Sequence, residues 1–364
     1  MEKIRVGIIG QGRSGRDIHR HLFETQAPLR DRYEVVAIAD YIGERCVALP
    51  GVAPSPELKI YTDYKELLKN RDIDLIINAT CSKDHVALSI EALEAGFNVI
   101  CEKPVARRVA DFDRLVSVAE RTGKFFLVFQ QSRFRHLFRK SLEVMRSGVL
   151  GRIIEVKISY NSFGRRWDWQ TLQSMDGGEL LNTGPHPLDQ ALQFYGDADP
   201  ERVICLMDCV NSFGDAEDHV KLLLSGHGHP SVDLEISRCC MFPGSTYEIY
   251  GSCGGLRASG DTVEWRYFKP SEAPEQKLIS VPLEGAGRLP KYCGEELYFY
   301  NEKWVAPAFA QSFDAWGIEY YKQIYEALRN GVMPEVNLAQ IRRQVKVVEE
   351  CHRQNPLPRM DRQA

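Results

Sequence analysis

The run Ile4-Arg5-Val6-Gly7-Ile8-Ile9-Gly10-Gln11-Gly12-Arg13-Ser14-Gly15 joins an apolar strand pattern to the spacing G-x-G-x-x-G, and a polar-apolar helix pattern follows it. A second apolar run, Val35 to Ala39, ends on Asp40. A strand, a glycine loop that opens a helix, and an acidic residue at the next strand end together mark a dinucleotide-binding unit. Each glycine has its own mechanical reason: Gly10 permits the tight turn, Gly12 lets backbone amides approach a pyrophosphate, and Gly15 lets the helix pack closely on the strand. The helix start then faces the phosphates with unpaired N–H groups and partial positive charge. Gln11, Arg13 and Ser14 complete the loop, and Asp40 is expected to accept hydrogen bonds from an adenosine ribose diol and to repel a 2′-phosphate. The expected cofactor is therefore NAD in preference to NADP. Tyr41-Ile42-Gly43 supplies no arginine for the extra phosphate, although Arg45 lies close in sequence and keeps the alternative open.

Beyond this unit the first part of the chain keeps alternating strand and helix patterns, as a doubly wound parallel α/β sheet requires. A helical segment and a proline-bearing loop through Pro50, Pro54 and Pro56 follow Asp40, and Asp63-Tyr64-Lys65-Glu66 reads as a capping-box helix start. Leu75 to Ala79, Phe97 to Cys101 and Phe125 to Phe129 read as strands, and His85 to Ala95 as a helix stopped by Gly96. The Rossmann domain is expected to cover residues 1–130. Residues 131–364 then form an α+β domain with a large, mostly antiparallel open sheet. Its strands are expected at Ile153–Ser159, Ile204–Val210, His219–Leu224, Val232–Cys239 and Ser245–Tyr250, with helices from Ser312 to His352.

Composition bounds the remaining classes. At 364 residues, the chain exceeds what one hydrophobic core usually serves, so two domains are expected. The 44% hydrophobic and 26% charged content is that of an ordinary folded protein, and a formal charge of −4 argues against nucleic acid as the main partner. The sequence shows neither a leader pattern before its first strand nor an apolar run of bilayer-spanning length, so no membrane partner and a cytoplasmic location are expected. The ten cysteines are read as scattered reduced thiols, and Cys205-x-x-x-Cys209, Cys239-Cys240 and His227-Gly-His229 lack a metal framework, so no metal is expected.

Several short segments together carry a resemblance. Asn78-Ala79-Thr80 with His85, Glu102-Lys103-Pro104, and Gly177-Gly178 leading to Asn182-Thr183-Gly184-Pro185-His186-Pro187-Leu188-Asp189 resemble, with the glycine loop, the glucose-fructose oxidoreductase and inositol dehydrogenase (Gfo/Idh/MocA) family. The resemblance covers nearly the whole chain. It implies that Thr80, His85, Glu102 and Lys103 join the cofactor site, that Lys103 stabilises charge on the reacting oxygen, and that His186 is the general acid/base. One departure stands out: the family usually has aspartate where this chain has Asn182, so the usual Asp-His dyad is in doubt and Asn182 is expected to orient substrate or ring.

Hydride removal from a secondary alcohol needs both a base and a cation, which is the chemistry an imidazole and an ammonium supply. His186 is expected in the first turn of a helix beginning near Thr183, where flanking prolines are tolerated and the helix dipole keeps the ring neutral. Asp189, one turn on, is read as structural. The segment Phe163 to Gln170, with Arg166, Trp167, Asp168 and Trp169, reads as a cleft-lining loop, joined by Tyr160 and by Arg133 at the domain junction. It also looks like a bacterial subgroup whose members oxidise a glucosyl unit at C3. The expected activity is thus NAD-dependent oxidation of a sugar, glycoside or cyclitol by a homo-oligomer, dimer or tetramer. The alternatives are a redox-neutral hydrolase or epimerase that retains NAD(H), and a non-catalytic NAD-binding regulator.

Overall fold

The computed structural model describes residues 2–284 and 290–360, so the last four residues of the expected second domain lie outside the described residues. Strands β1 (Ile4–Ile9), β2 (Tyr33–Ala39), β3 (Lys59–Tyr61), β4 (Leu75–Asn78), β5 (Asn98–Cys101) and β6 (Phe126–Val128) form a parallel sheet in the order β3-β2-β1-β4-β5-β6. Every residue of β4 is buried, the apolar Leu75, Ile76 and Ile77 and the terminal Asn78, because a central parallel strand is covered on both faces. The order reverses between β1 and β4, which opens a crevice at the carboxyl ends of these strands.

The connecting helices are α1 (His21–Thr25), α2 (Ala27–Arg30), α3 (Tyr64–Leu67), α4 (His85–Glu94) and α5 (Val109–Thr122). Ahead of α1 the chain winds in wide π-type turns over Gly15–Arg20, directly after the glycine loop. The capping expectation at Asp63 holds in part. Its side chain accepts from the Lys65 amide at 2.8 Å, but Glu66 pairs with Lys69 and does not reach back to close a box. After Asp40 only a short turn, Gly43–Arg45, is helical.

The second sheet contains β7 (Ile153–Asn161), β8 (Arg202–Asp208), β9 (His219–Ser225), β10 (Ser231–Ser237), β11 (Tyr247–Gly251), β12 (Gly254–Ser259) and β13 (Thr262–Tyr267). The short pair β14 (Leu283–Glu284) and β15 (Pro290–Lys291) stands apart, and β16 (Tyr300–Val305) completes the sheet. The order is β16-β13-β12-β11-β7-β10-β9-β8, antiparallel except between β7 and β10. Three of these strands, β12, β13 and β16, were not among those expected. The hairpin was nevertheless legible: Gly260-Asp261 turns between alternating Leu256, Ala258, Val263 and Trp265.

Helices α6 (His136–Arg146), α7 (Glu179–Asn182), α8 (Pro185–Tyr195) and α10 (Leu338–Gln354) pack with one face of this sheet, where Val220, Leu222, Leu224, Val232, Leu234 and Ile236 are fully buried. The alternate residues on the other face are largely charged; Lys221, for example, bridges Asp233 at 2.8 Å and Glu235 at 3.2 Å.

The C-terminal helices redraw the expected domain boundary. From α9 (Phe313–Asn330), Ile318, Tyr320, Tyr321, Ile324 and Tyr325 enter the core of the first domain, and α10 gives Ile341 and Val345 to that core but Val347, Val348 and Cys351 to the second. Residues beyond 312 thus contribute to both cores; the 131–364 expectation had grouped them with the second domain, as a helical tail that packs on the rest. Among the described residues no helix is long and apolar enough to cross a membrane, and the ten cysteines are all unpaired thiols.

Candidate active site

A cleft of about 1160 Å³ opens at the reversal point, large enough for a dinucleotide with a small substrate. The glycine loop forms its floor. Gly10 has φ +91°, and a Cβ there would collide with the Ala79 carbonyl. Around Gly12 there is open space within 4 Å, the cradle a pyrophosphate needs. A Cβ on Gly15 would strike the Gly10 carbonyl, so that residue's close approach is to the loop itself more than to the strand.

Gln11, Arg13, Ser14, Asp40, Thr80, Glu102 and Lys103 all line the cleft. Asp40 is nearly buried, with one oxygen 2.7 Å from the Gln11 amide and the other 2.9 Å from the Ile42 amide. Arg45 approaches the same carboxylate at 3.7 Å and stands over the Tyr41 ring. The donor set fits a dinucleotide: an open glycine cradle with a shielded acidic residue beside it, hydrogen-bonded to the Gln11 amide of the loop.

His85 is a correction. Its ring is buried behind the cleft wall, with Nδ1 2.7 Å from the Pro104 carbonyl and Nε2 3.2 Å from the Thr80 carbonyl, and it does not line the cleft. Burial pushes its pKa down. It braces the two turns that carry Thr80 and Lys103, and so acts on the site through them.

Lys103, Asn182 and His186 line the same cleft, together with Trp169 and Gln170. Lys103 Nζ donates to the Asn182 backbone carbonyl at 2.7 Å, so the ammonium is held by main chain at the end of α7. His186 follows Pro185 in the first turn of α8, whose helical span begins two residues after Thr183. Burial, and next the charge of Lys103, push its pKa down to about 3. Its Nδ1 is buried without a hydrogen-bond partner among the described residues, which leaves Nε2 as the nitrogen on the cleft side. Asparagine at 182 brings no carboxylate charge, and burial with the charge of Lys103 outweighs the opposing pull of Glu102, so the imidazole stays neutral.

The other expected substrate contacts divide. Trp169 lines the cleft, but Arg166 folds back on Asp168 at 2.8 Å and Trp167 points to solvent, packed edge-on against Phe213. Neither they nor Asp168 line the cleft; Asp168 caps the Gln170 amide at 2.9 Å and so aims Gln170. Tyr160 is behind α8, donating to Gln190 at 2.9 Å and receiving from Arg135.

Arg133 is also a correction: only 5% exposed, it makes a two-pronged pair with Asp189, at 2.7 and 2.5 Å. That pair, with Gln130 donating to the Pro185 carbonyl at 2.6 Å, clamps the helix that presents His186. Asp189→Ala strands a buried guanidinium and is expected to lower stability by about 3–5 kcal/mol, measured by urea unfolding. Gln170, the last residue of the expected cleft-lining segment, lines the cleft, and Gln131 and Phe313 do so without having been expected there; Gln131 follows a parallel strand at its carboxyl end, the one signal that could have found it.

With this geometry, similarity to known proteins becomes informative. Residues 4–130 match the model described as "Oxidoreductase family, NAD-binding Rossmann fold", and residues 138–257 match the Gfo/Idh/MocA C-terminal domain. The chain is 22% identical over 352 residues to scyllo-inositol 2-dehydrogenase (NADP(+)) of Bacillus subtilis, covering 96% of this chain and 93% of that one. It is 27% identical over 270 residues to D-apiose dehydrogenase of Paraburkholderia graminis, covering 72% and 69%. Against the oxidoreductase C26H5.09c of Schizosaccharomyces pombe, the match spans 53% of that protein's length and 54% of this chain, at 26% identity. The crystal structure of the WlbA dehydrogenase of Bordetella pertussis, in complex with NADH and UDP-GlcNAcA, superimposes with a TM-score of 0.74 at 19% identity, covering 99% of each chain. The glycine cradle, the Glu-Lys-Pro turn and both matched domains lead to one statement: the chain belongs to the Gfo/Idh/MocA family of oxidoreductases.

Proposed function

We propose that this protein uses NAD to oxidise a ring secondary alcohol of a sugar, glycoside or cyclitol, and that the preferred reaction is at C3 of a glucoside. The observation that carries this reading is the meeting of Lys103, Asn182 and His186 in the same cleft as the glycine loop. When bound, the nicotinamide supplies the hydride acceptor. Lys103 spends one ammonium proton on the Asn182 carbonyl and keeps two for the substrate oxygen as negative charge builds there. Neutral His186 takes the hydroxyl proton at Nε2, the O–H pair becomes the new carbonyl bond, and the carbinol hydrogen departs with the C–H pair as hydride. Trp169 and Gln170 offer an aromatic surface and an amide, which is what a sugar ring presents contacts for.

The test is a panel of cyclitols, aldoses and glucosides with NAD and with NADP, followed by identification of the product. NADH formation with a glucoside and a 3-keto product supports the reading. Copurified NAD(H) with no net turnover on any polyol would instead favour a redox-neutral enzyme.

The preference for NAD is a second part of the proposal. A 2′-phosphate would sit against the buried Asp40 carboxylate, only partly offset by Arg45 at 3.7 Å. Asp40→Ser is expected to tighten NADP binding about tenfold, equal to about 1.4 kcal/mol, read by cofactor fluorescence titration. We also propose that copies associate through the uncovered face of the second sheet; because that face is ion-paired, the contact would be polar, and sedimentation velocity gives its size.

A further inference from the structure

A buried hydrogen-bonded chain runs from the C-terminal helix to the Glu-Lys-Pro turn. The Tyr321 hydroxyl, on α9, lies 2.7 Å from His19 Nδ1; His19 Nε2 lies 3.1 Å from Glu102 Oε1; and Glu102 Oε2 accepts from the Lys103 amide at 3.0 Å. His19 is fully buried, edge-on to Phe129, and the Tyr321 backbone is itself held by the Tyr33 hydroxyl at 2.7 Å. The only way to satisfy every partner with a neutral ring is for Tyr321 to donate to Nδ1, which leaves the Nε2 proton for Glu102. Both carboxylate oxygens are then occupied, so the side chain has no freedom to turn.

We propose that Tyr321, His19 and Glu102 are positioning residues for Lys103: the chain holds the turn in place from behind and sets a fixed negative charge beside the ammonium. This rests on the reading of Lys103 as the residue that stabilises the reacting oxygen. A misplacement of about 1 Å at such a group costs on the order of 100-fold in rate, so a rigid backing has a direct use. The charge has one as well. Burial draws the Lys103 pKa down, and Glu102 opposes it. Around the ammonium, Glu179 acts in the same sense as Glu102, Arg13 and Arg166 in the opposite one, and neutral His186 stands opposite. Around Glu102 stand His19, Lys103 and His85; burial pushes its carboxyl up, but the His19 hydrogen bond and the charge of Lys103 hold it below the ordinary carboxylate value, so it stays charged.

The experiment titrates Lys103 directly in cofactor-free protein by NMR of ¹³Cε-labelled lysine, with the Lys103 signal identified by its loss in Lys103→Arg. In Glu102→Gln the titration is expected to move to lower pH by about 1–3 pH units, and in Tyr321→Phe to move the same way by less. Turnover of Glu102→Gln should fall 10-fold or more, with its alkaline limb displaced in step. If Glu102→Gln does not fold, Tyr321→Phe alone decides. A purely structural chain would lower the melting temperature and leave the Lys103 titration where it is, and that result overturns the proposal. Retained turnover in Lys103→Met would instead refute the assigned role of Lys103, while leaving the NMR result readable.

Discussion

His186→Ala is expected to lower kcat by about 10²–10⁴-fold, the usual contribution of a positioned general base, with the affinity for NAD nearly unchanged. The separation follows from the hydrogen bonds: Asp40 is held by the Gln11 and Ile42 amides and owes none of its contacts to His186, which lines the cleft together with Trp169 and Gln170. The pH profile sharpens the expectation. Because the folded ring holds no proton until about pH 3, the base is already deprotonated throughout the neutral and mildly acidic range, and the acid limb of kcat/KM should fall well below the ordinary histidine value of about 6.5. Linkage runs in the same direction. The unfolded chain takes up this proton as pH falls through about 6.5 and the folded chain does not, so this group's contribution to stability is present above that pH and is lost below it. An acid limb at the ordinary histidine value would contradict the assignment of His186 as a desolvated base.

Lys103→Met is expected to lower kcat by about 10²–10³-fold, the size of effect seen when one donor to a developing oxyanion is removed. Methionine keeps the length and apolar stem but removes the charge and the donor, including the hydrogen bond at 2.7 Å to the Asn182 carbonyl. The loss should be confined to the chemical step, so kcat and kcat/KM should fall together. A change in KM alone would assign Lys103 to substrate binding and remove it from the chemistry. Steady-state kinetics beside cofactor titration separate the two.

What could be read from the chain before its structure was local. Gly10, Gly12 and Gly15 declare themselves because their constraints involve neighbours a few residues away or a strand end of known type, and the apolar runs of β1, β2 and β4 need no partner to be recognised. Lys103 and His186 were found through short motifs with distinctive proline neighbours. The errors share a cause. Arg133 looked like a cleft arginine, but its partner Asp189 is 56 residues away and buried with it. His85 was near the site in sequence but turned inward to the carbonyls of Thr80 and Pro104. Tyr321 reaches His19 across 302 residues, a pairing that periodicity does not encode. In the expected substrate loop the side chains divide, Trp167 to solvent and Trp169 to the cleft, a direction that the sequence of the segment does not carry. The strands β12 and β13 were passed over although their apolar residues alternate with charged ones on the uncovered face about the Gly260-Asp261 turn, a legible pattern.

The central claim is that one ammonium and one imidazole act together on a single carbinol carbon beside the nicotinamide. The most direct measurement is NADH formation from the polyol panel by wild-type protein and by the double variant Lys103→Met/His186→Ala, each first shown to bind NAD equally. The expected result is turnover of at least one polyol by the wild type and none detectable by the double variant. Equal turnover by the two proteins would contradict the account.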